Sequence, residues 1–148
     1  MSKLITMKFG GTSVGSAEAI ANVVSIVTND TSAGNRVIVV VSAMSGVTDT
    51  LLASIKMAIS GNKWGYLDTA QKLRDRHIET LNLLVPPGKN RETARTEINA
   101  LLDEYAEICQ AVSILGEATP RIRDAIVAFG ERMSSRLVAA ALRHYEVD

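Results

Sequence analysis

Val37, Ile38, Val39, Val40 and Val41 follow one another with no polar residue between them. A strand alternates its side chains between two faces, so this run is apolar on both. Such a strand belongs inside a parallel sheet covered by helices on each side. Residues 36–43 are therefore read as one strand and residues 3–9 as another. Between them Ala17, Ile20, Ala21, Val24 and Val27 recur at helical spacing, with Ser16 as N-cap and Glu18 favourably placed in the first turn. Residues 29–35 are polar and contain Gly34, which stops that helix. The order is β-α-β, and the crossover is expected to be right-handed.

Beyond the second strand the periodicity is helical. Thr48 is a candidate cap for a helix running to about residue 60, where Gly61 and Asn62 break it. A third helix over about 63–84 carries Leu67, Ala70, Leu73, His77, Leu81 and Leu84, and Pro86, Pro87 and Gly88 end it. Ile98, Leu101, Tyr105, Ile108, Val112 and Leu115 then step by three and four, the seam of an antiparallel helix pair. Thr119 and Pro120 open a last helix with Ile122, Ala125, Ile126, Phe129, Met133, Leu137 and Ala140 on its buried side. Residues 145–148 read as the start of another strand. Two sure strands are few for a parallel sheet, which normally has about 5.

The length of 148 residues suits one domain, and 47% apolar with 22% charged residues can fill a core. Sixteen basic and sixteen acidic side chains cancel, so the chain lacks the electrostatic footprint of a nucleic-acid or anionic-membrane binder. Cys109 is the sole cysteine, which excludes an internal disulfide and a cysteine-based zinc set; a cytoplasmic setting is expected. Lys8 and the glycines interrupt any apolar stretch near the N-terminus, so no signal peptide is read there. The run 37–41 is far shorter than the roughly 20 residues needed to cross a bilayer.

Three segments could carry chemistry. The first strand runs into Gly10, Gly11, Thr12 and Ser13. Glycines let a bulky anion approach the main chain, the following helix directs the positive end of its dipole there, and Lys8 adds an ammonium. A plain tight turn, with Lys8 reaching solvent, accounts for these residues equally well, since neither familiar phosphate-loop glycine spacing is present. Ser42, Ala43, Met44, Ser45, Gly46, Val47, Thr48 and Asp49 form a second loop of small hydroxyl residues leaving a buried strand. Two such loops on neighbouring parallel strands would line one crevice; helix capping is the alternative reading. Gly130 and Glu131 are the third segment, Glu131 lying off the apolar stripe and Gly130 costing ~1 kcal/mol inside a helix unless a break or close approach needs it.

Lys8-Phe9-Gly10-Gly11-Thr12-Ser13-Val14 resembles the signature that opens aspartokinases, a branch of the amino-acid kinase family. The valine-rich strand followed by Ser42-Ala43-Met44-Ser45-Gly46-Val47-Thr48-Asp49 is similar to the family's second motif, and Gly130-Glu131-Arg132-Met133-Ser134 to its third. The resemblance covers essentially the whole chain. It implies an α/β fold, a three-layer α/β/α sandwich of amino-acid (carbamate) kinase type with a mainly parallel sheet and a helical pair inserted at about 62–116. It implies that Lys8, Gly10 and Gly11 hold ATP phosphates with Ser13 beside them, Lys8 being catalytic. Ser42, Thr48 and Glu131 would contact L-aspartate, Glu131 through the substrate's ammonium group.

The activity implied is phosphorylation of the aspartate side-chain carboxylate by ATP, with magnesium carried on the nucleotide and no metal ligands of the chain's own. Family members continue into further strands and usually into small regulatory domains of the ACT type. Residues 1–148 are accordingly read as the N-terminal part of one kinase domain, inactive alone and inclined to self-associate. A non-catalytic nucleotide-binding or interaction module is the alternative. Sibling kinases acting on glutamate, acetylglutamate, carbamate or a uridine nucleotide share the glycine loop but open with different motifs. His77 and Cys109 are read as buried structural residues, Trp64 and Tyr66 as packing the third helix, and Arg121, Arg123, Arg132 and Arg136 as a solvated face.

Overall fold

The computed structural model describes residues 2–147. Strands β1 (Leu4–Phe9) and β2 (Arg36–Val41) pair in parallel, Leu4 opposite Arg36 and Phe9 opposite Val41. Helix α1 (Ala17–Ser32) is the crossover. The Ser16 side chain accepts from the Ala19 amide at 3.2 Å and caps it, as its position before the apolar stripe predicts. The helix runs on through the polar residues to Ser32; Thr31 Oγ1 donates to the Thr28 carbonyl at 3.0 Å, and the left-handed Gly34 (φ +83°) follows the end.

Helices α2 (Val47–Ile59), α3 (Lys63–Leu84), α4 (Lys89–Leu115), α5 (Pro120–Val127) and α6 (Phe129–His144) complete the order. Arg74 reaches Asp103 at 2.9 Å while Arg95 reaches Asn82 at 2.9 Å, so α3 and α4 run antiparallel. Buried Leu81, Ile98, Leu102, Tyr105, Phe129 and Met133 fill the space between α3, α4 and α6. Each contributes about 1.5–3 kcal/mol for its burial. Tyr105 and Phe129 meet edge to face, their centroids 6.0 Å apart.

Helices α1 and α6 pack on β2. Burial alternates along both strands: Met7, Phe9, Val37, Val39 and Val41 lean on the helical core, whereas Leu4, Ile38 and Val40 are 63%, 49% and 42% exposed. The sheet expected to be covered twice is covered once among the described residues, and its second face is open.

Four local expectations are corrected. The last helix is two, because α5 closes at Ala128 and α6 begins at Phe129 with no glycine or proline between them. Helix α2 is capped by Gly46 at φ +79°, one residue before Val47, so Thr48 is not the cap but lies in the first turn. Residues 145–147 form a turn, Glu146 at φ +59° with the Val147 amide bonded to the Leu142 carbonyl at 3.1 Å, rather than a strand; Asp148 lies outside the described residues. Tyr66 is buried as expected, but Trp64 is 80% exposed.

Candidate functional site

The parallel register brings the carboxyl ends of both strands to one edge, and the loops leaving them touch. The Ser42 amide donates to the Phe9 carbonyl at 3.0 Å, extending the ladder beyond the strands. A Cβ added to Gly11 would stand 3.0 Å from the Ala43 carbonyl oxygen, and one added to Gly15 would stand 3.2 Å from Ser45 Cβ. Glycine at these two positions therefore lets the backbones meet. At Gly10 an added Cβ would meet nothing within 4 Å; the main chain there is open to an approaching molecule.

Helix α6 joins the same patch. A Cβ on Gly130 would lie 2.6 Å from Ala43 Cβ and 3.2 Å from Val47 Cγ1, so the close approach suspected from sequence is real. One turn on, Ser134 Oγ donates to the Ser42 carbonyl at 2.6 Å. The second loop is thus the hub: Gly11 and Gly15 abut it from one direction, Gly130 and Ser134 from another. Glu131, half-buried in the first turn of α6, sits between those two anchors.

The donors fit an anion. Among the described residues, the amides of Gly10, Gly11 and Thr12 donate to no protein acceptor, and Ser13 closes the turn by donating to the Gly10 carbonyl at 3.0 Å. The N-terminus of α2 has no side-chain cap, which leaves the Thr48 and Asp49 amides without acceptors. Thr48 itself is half-buried. Lys8 is exposed beside Val40 at the end of β1, on the open face of the sheet. No hydrogen bond or ion pair among the described residues joins Lys8, Thr48 and Glu131 to one another. Their neighbourhood comes from the backbones that carry them.

One contributor escaped the sequence analysis. Arg76 of α3 donates to the Ser45 carbonyl at 2.9 Å and to the Gly15 carbonyl at 3.1 Å, spanning both loops. Nothing in the sequence distinguishes it from Arg74 two residues earlier. The other arginines considered are mostly occupied elsewhere: Arg132 forks onto Glu104 at 2.8 and 3.3 Å while lying over the Phe129 ring, and Arg136 pairs with Glu97 at 3.1 Å. The grooves lie beside the site or away from it. One, lined by Phe9, Thr12, Ser13, Asn22 and Ile26, flanks the first loop, and another opens at the amino ends of the strands around Leu4, Arg36 and Tyr145.

The remaining titratable candidates are structural. His77 is wholly buried with Nδ1 2.6 Å from the Leu73 carbonyl, and burial lowers its pKa to about 4, which keeps it neutral. Burial raises the Cys109 thiol to about 11, leaving an inert side chain. Among the described residues no group of three His, Cys, Asp or Glu could hold a metal ion, and no helix is long and apolar enough to cross a membrane.

The model of the Amino acid kinase family matches residues 3–148. The chain belongs to that family. Among its relatives, lysine-sensitive aspartokinase 3 of Escherichia coli is 31% identical over 147 residues, which are 99% of this chain and 30% of that protein. A chloroplastic bifunctional aspartokinase/homoserine dehydrogenase 1 of Zea mays is 33% identical over 92% of this chain and 14% of its own length. The crystal structure of E. coli aspartokinase III in complex with aspartate and ADP superposes with a TM-score of 0.80 at 28% identity, covering 99% of this chain and 30% of that one. The amino-acid kinase chain described here therefore spans under a third of these relatives. The fold is the α/β architecture expected, carried by an incomplete parallel sheet.

Proposed function

We propose that this chain supplies the N-terminal part of an aspartate kinase, which transfers the γ-phosphoryl group of ATP to the side-chain carboxylate of L-aspartate. The observation that carries this reading is the junction of three backbones, residues 10–15, 42–47 and 130–134, with open amides along it. The solved relative that matches over 99% of the chain is described as a complex with aspartate and ADP, the two kinds of ligand such a junction would receive.

In this reading the open amides of Gly10, Gly11 and Thr12 and the Lys8 ammonium take the nucleotide phosphates, with Ser13 alongside. Ser42 and the start of α2 at Thr48, which has no side-chain cap, bind the amino acid, and Glu131 receives its ammonium group. A side-chain carboxylate of ordinary pKa, about 3.9, is already ionised at neutral pH, so no general base is needed to form the nucleophile. One carboxylate oxygen bonds to the γ-phosphorus as the bond to the ADP oxygen breaks. The chain's task is to align two anions and offset their charge, which is the main requirement of phosphoryl transfer. Magnesium, bound to the phosphates of the nucleotide, would neutralise charge on their oxygens; among the described residues no group of three His, Cys, Asp or Glu could hold it.

Full turnover is assigned to the longer protein, because this chain spans 30% of the E. coli relative. Titration calorimetry tests the assignment. Magnesium-ATP should release heat with the chain, and Lys8→Ala should weaken that binding about tenfold while leaving the melting temperature unchanged, as expected for an exposed charge that contacts phosphate. Equal affinity in both proteins would remove Lys8 from the site, and ordinary aspartate-dependent ADP release by this chain alone would refute the division of labour. A second reading, a binding module that associates through the sheet, is favoured by the exposed Leu4, Ile38 and Val40. Self-association or partner capture with no nucleotide binding at millimolar concentration would support it.

A further inference from the structure

We infer that Arg76 is a positioning residue that locks the two strand-end loops into one unit, so that the phosphate side and the amino-acid side of the proposed site keep a fixed separation. The guanidinium belongs to α3, a helix of the packed body, yet its two terminal nitrogens go to carbonyls of different loops, Ser45 at 2.9 Å and Gly15 at 3.1 Å. Those residues are 31 and 61 positions away in sequence. No other side chain among the described residues bonds to both loops.

The charge of Arg76 is also uncommitted. Arg74, Arg95, Arg132 and Arg136 each pair with a carboxylate, whereas Arg76 forms no ion pair among the described residues. Both hydrogen bonds that its guanidinium makes among the described residues go to main-chain oxygens. Hydrogen bonds from a charged donor are about twice as strong as neutral ones, and a planar fork fixes direction as well as distance. Beyond the Ser42–Phe9 bond at their base, the loops it joins meet through close packing at Gly11, Gly15 and Ser45, whose dispersion attraction is weak and sets no direction. Phosphoryl transfer is sensitive to such slack, because displacement of about 1 Å between reacting groups can cost two orders of magnitude in rate.

The inference takes its ligands from the kinase reading above, and its test has one arm that does not. In hydrogen exchange on the 148-residue chain, Arg76→Gln should speed exchange of the hydrogen-bonded loop amides, those of Ser13, Gly15 and Val47, about tenfold, with α3 and α4 protected as before. In calorimetry, the same variant should bind magnesium-ATP about tenfold more weakly at an unchanged melting temperature, and Arg76→Lys should recover part of that loss. Exchange in both loops at the parent rate would overturn the inference, as would faster exchange spread over the helical body. If the parent chain binds no magnesium-ATP, the kinase reading falls while the exchange arm still decides whether Arg76 locks the loops. Should Arg76→Gln fail to fold, Arg76→Lys carries the exchange measurement alone, with loosening confined to the two loops as the expected result and parent-like loops as the refuting one.

Discussion

The helical body and the two-stranded sheet are built on opposite economies of contact. Between α3, α4 and α6, side chains such as Leu102, Tyr105, Phe129 and Met133 are wholly buried and met from every side. In the sheet, one face rests on α1 and α6 while Leu4, Ile38 and Val40 stand open on the other. The helices can hold themselves together, and the sheet cannot do as much for the chain. The candidate site nevertheless lies at the sheet's edge, where Gly130, Ser134 and Arg76, all of which belong to the body, hold its loops.

Mutations at graded distances from the body test that asymmetry. Phe129→Ala, which removes a wholly buried ring packed on Tyr105 and Arg132, should cost about 3–5 kcal/mol in urea denaturation. A cost under 1 kcal/mol would mean the body is not the stable part. His77 gives the next largest effect, through pH. Its folded value of about 4 lies below the ordinary 6.5 because burial disfavours the charged ring, with Arg76 adding to the depression. Between those values the unfolded chain takes up a proton that the folded chain refuses. Stability should therefore be undiminished above pH 6.5 and fall as pH drops toward 4, by about 3 kcal/mol from this group. His77→Gln should flatten that part of the profile; an identical slope in both proteins would assign the loss to other groups.

Gly130→Ala measures the seam between the two regions. Its methyl group would be forced against Ala43 Cβ, and overpacking of this kind costs about 1–3 kcal/mol. Because the strain falls on the second loop, ligand binding should suffer beyond what the melting temperature shows; unchanged binding would detach α6 from the site. The smallest effect belongs to Ile38→Ser on the open face, within about 0.5 kcal/mol in this chain. A larger loss, measured by the same denaturation, would show that something covers that face in solution.

What the sequence disclosed divides along the same line. Local signals were accurate: Asn62 and the two prolines after Leu84 bracket α3, Ser16 marks the start of α1, and the valine run marks β2. Gly130 announced a close approach because a glycine inside a helix carries a cost that something must offset. Gly46 was passed over in favour of Thr48, since a side-chain cap is visible in a sequence and a left-handed backbone angle is not. Gly130 also allowed for a break, and one falls two residues earlier at Ala128, a position that no glycine or proline marks. Arg76 was illegible for the plainest reason: its partners are backbone atoms dozens of residues away, and any residue type presents a carbonyl there. An exposed apolar face was legible in outline, because two strands are too few to finish a parallel sheet, but an apolar run does not say which of its two faces stays open.

The first two turns of α6 interleave both regions, Phe129 and Met133 belonging to the interior and Gly130 and Ser134 meeting the second loop. Selection for heat resistance and selection for substrate discrimination would thus act on alternating positions of the same short segment. Neither property could drift far without dragging the other, and libraries randomised there should yield correlated changes in both.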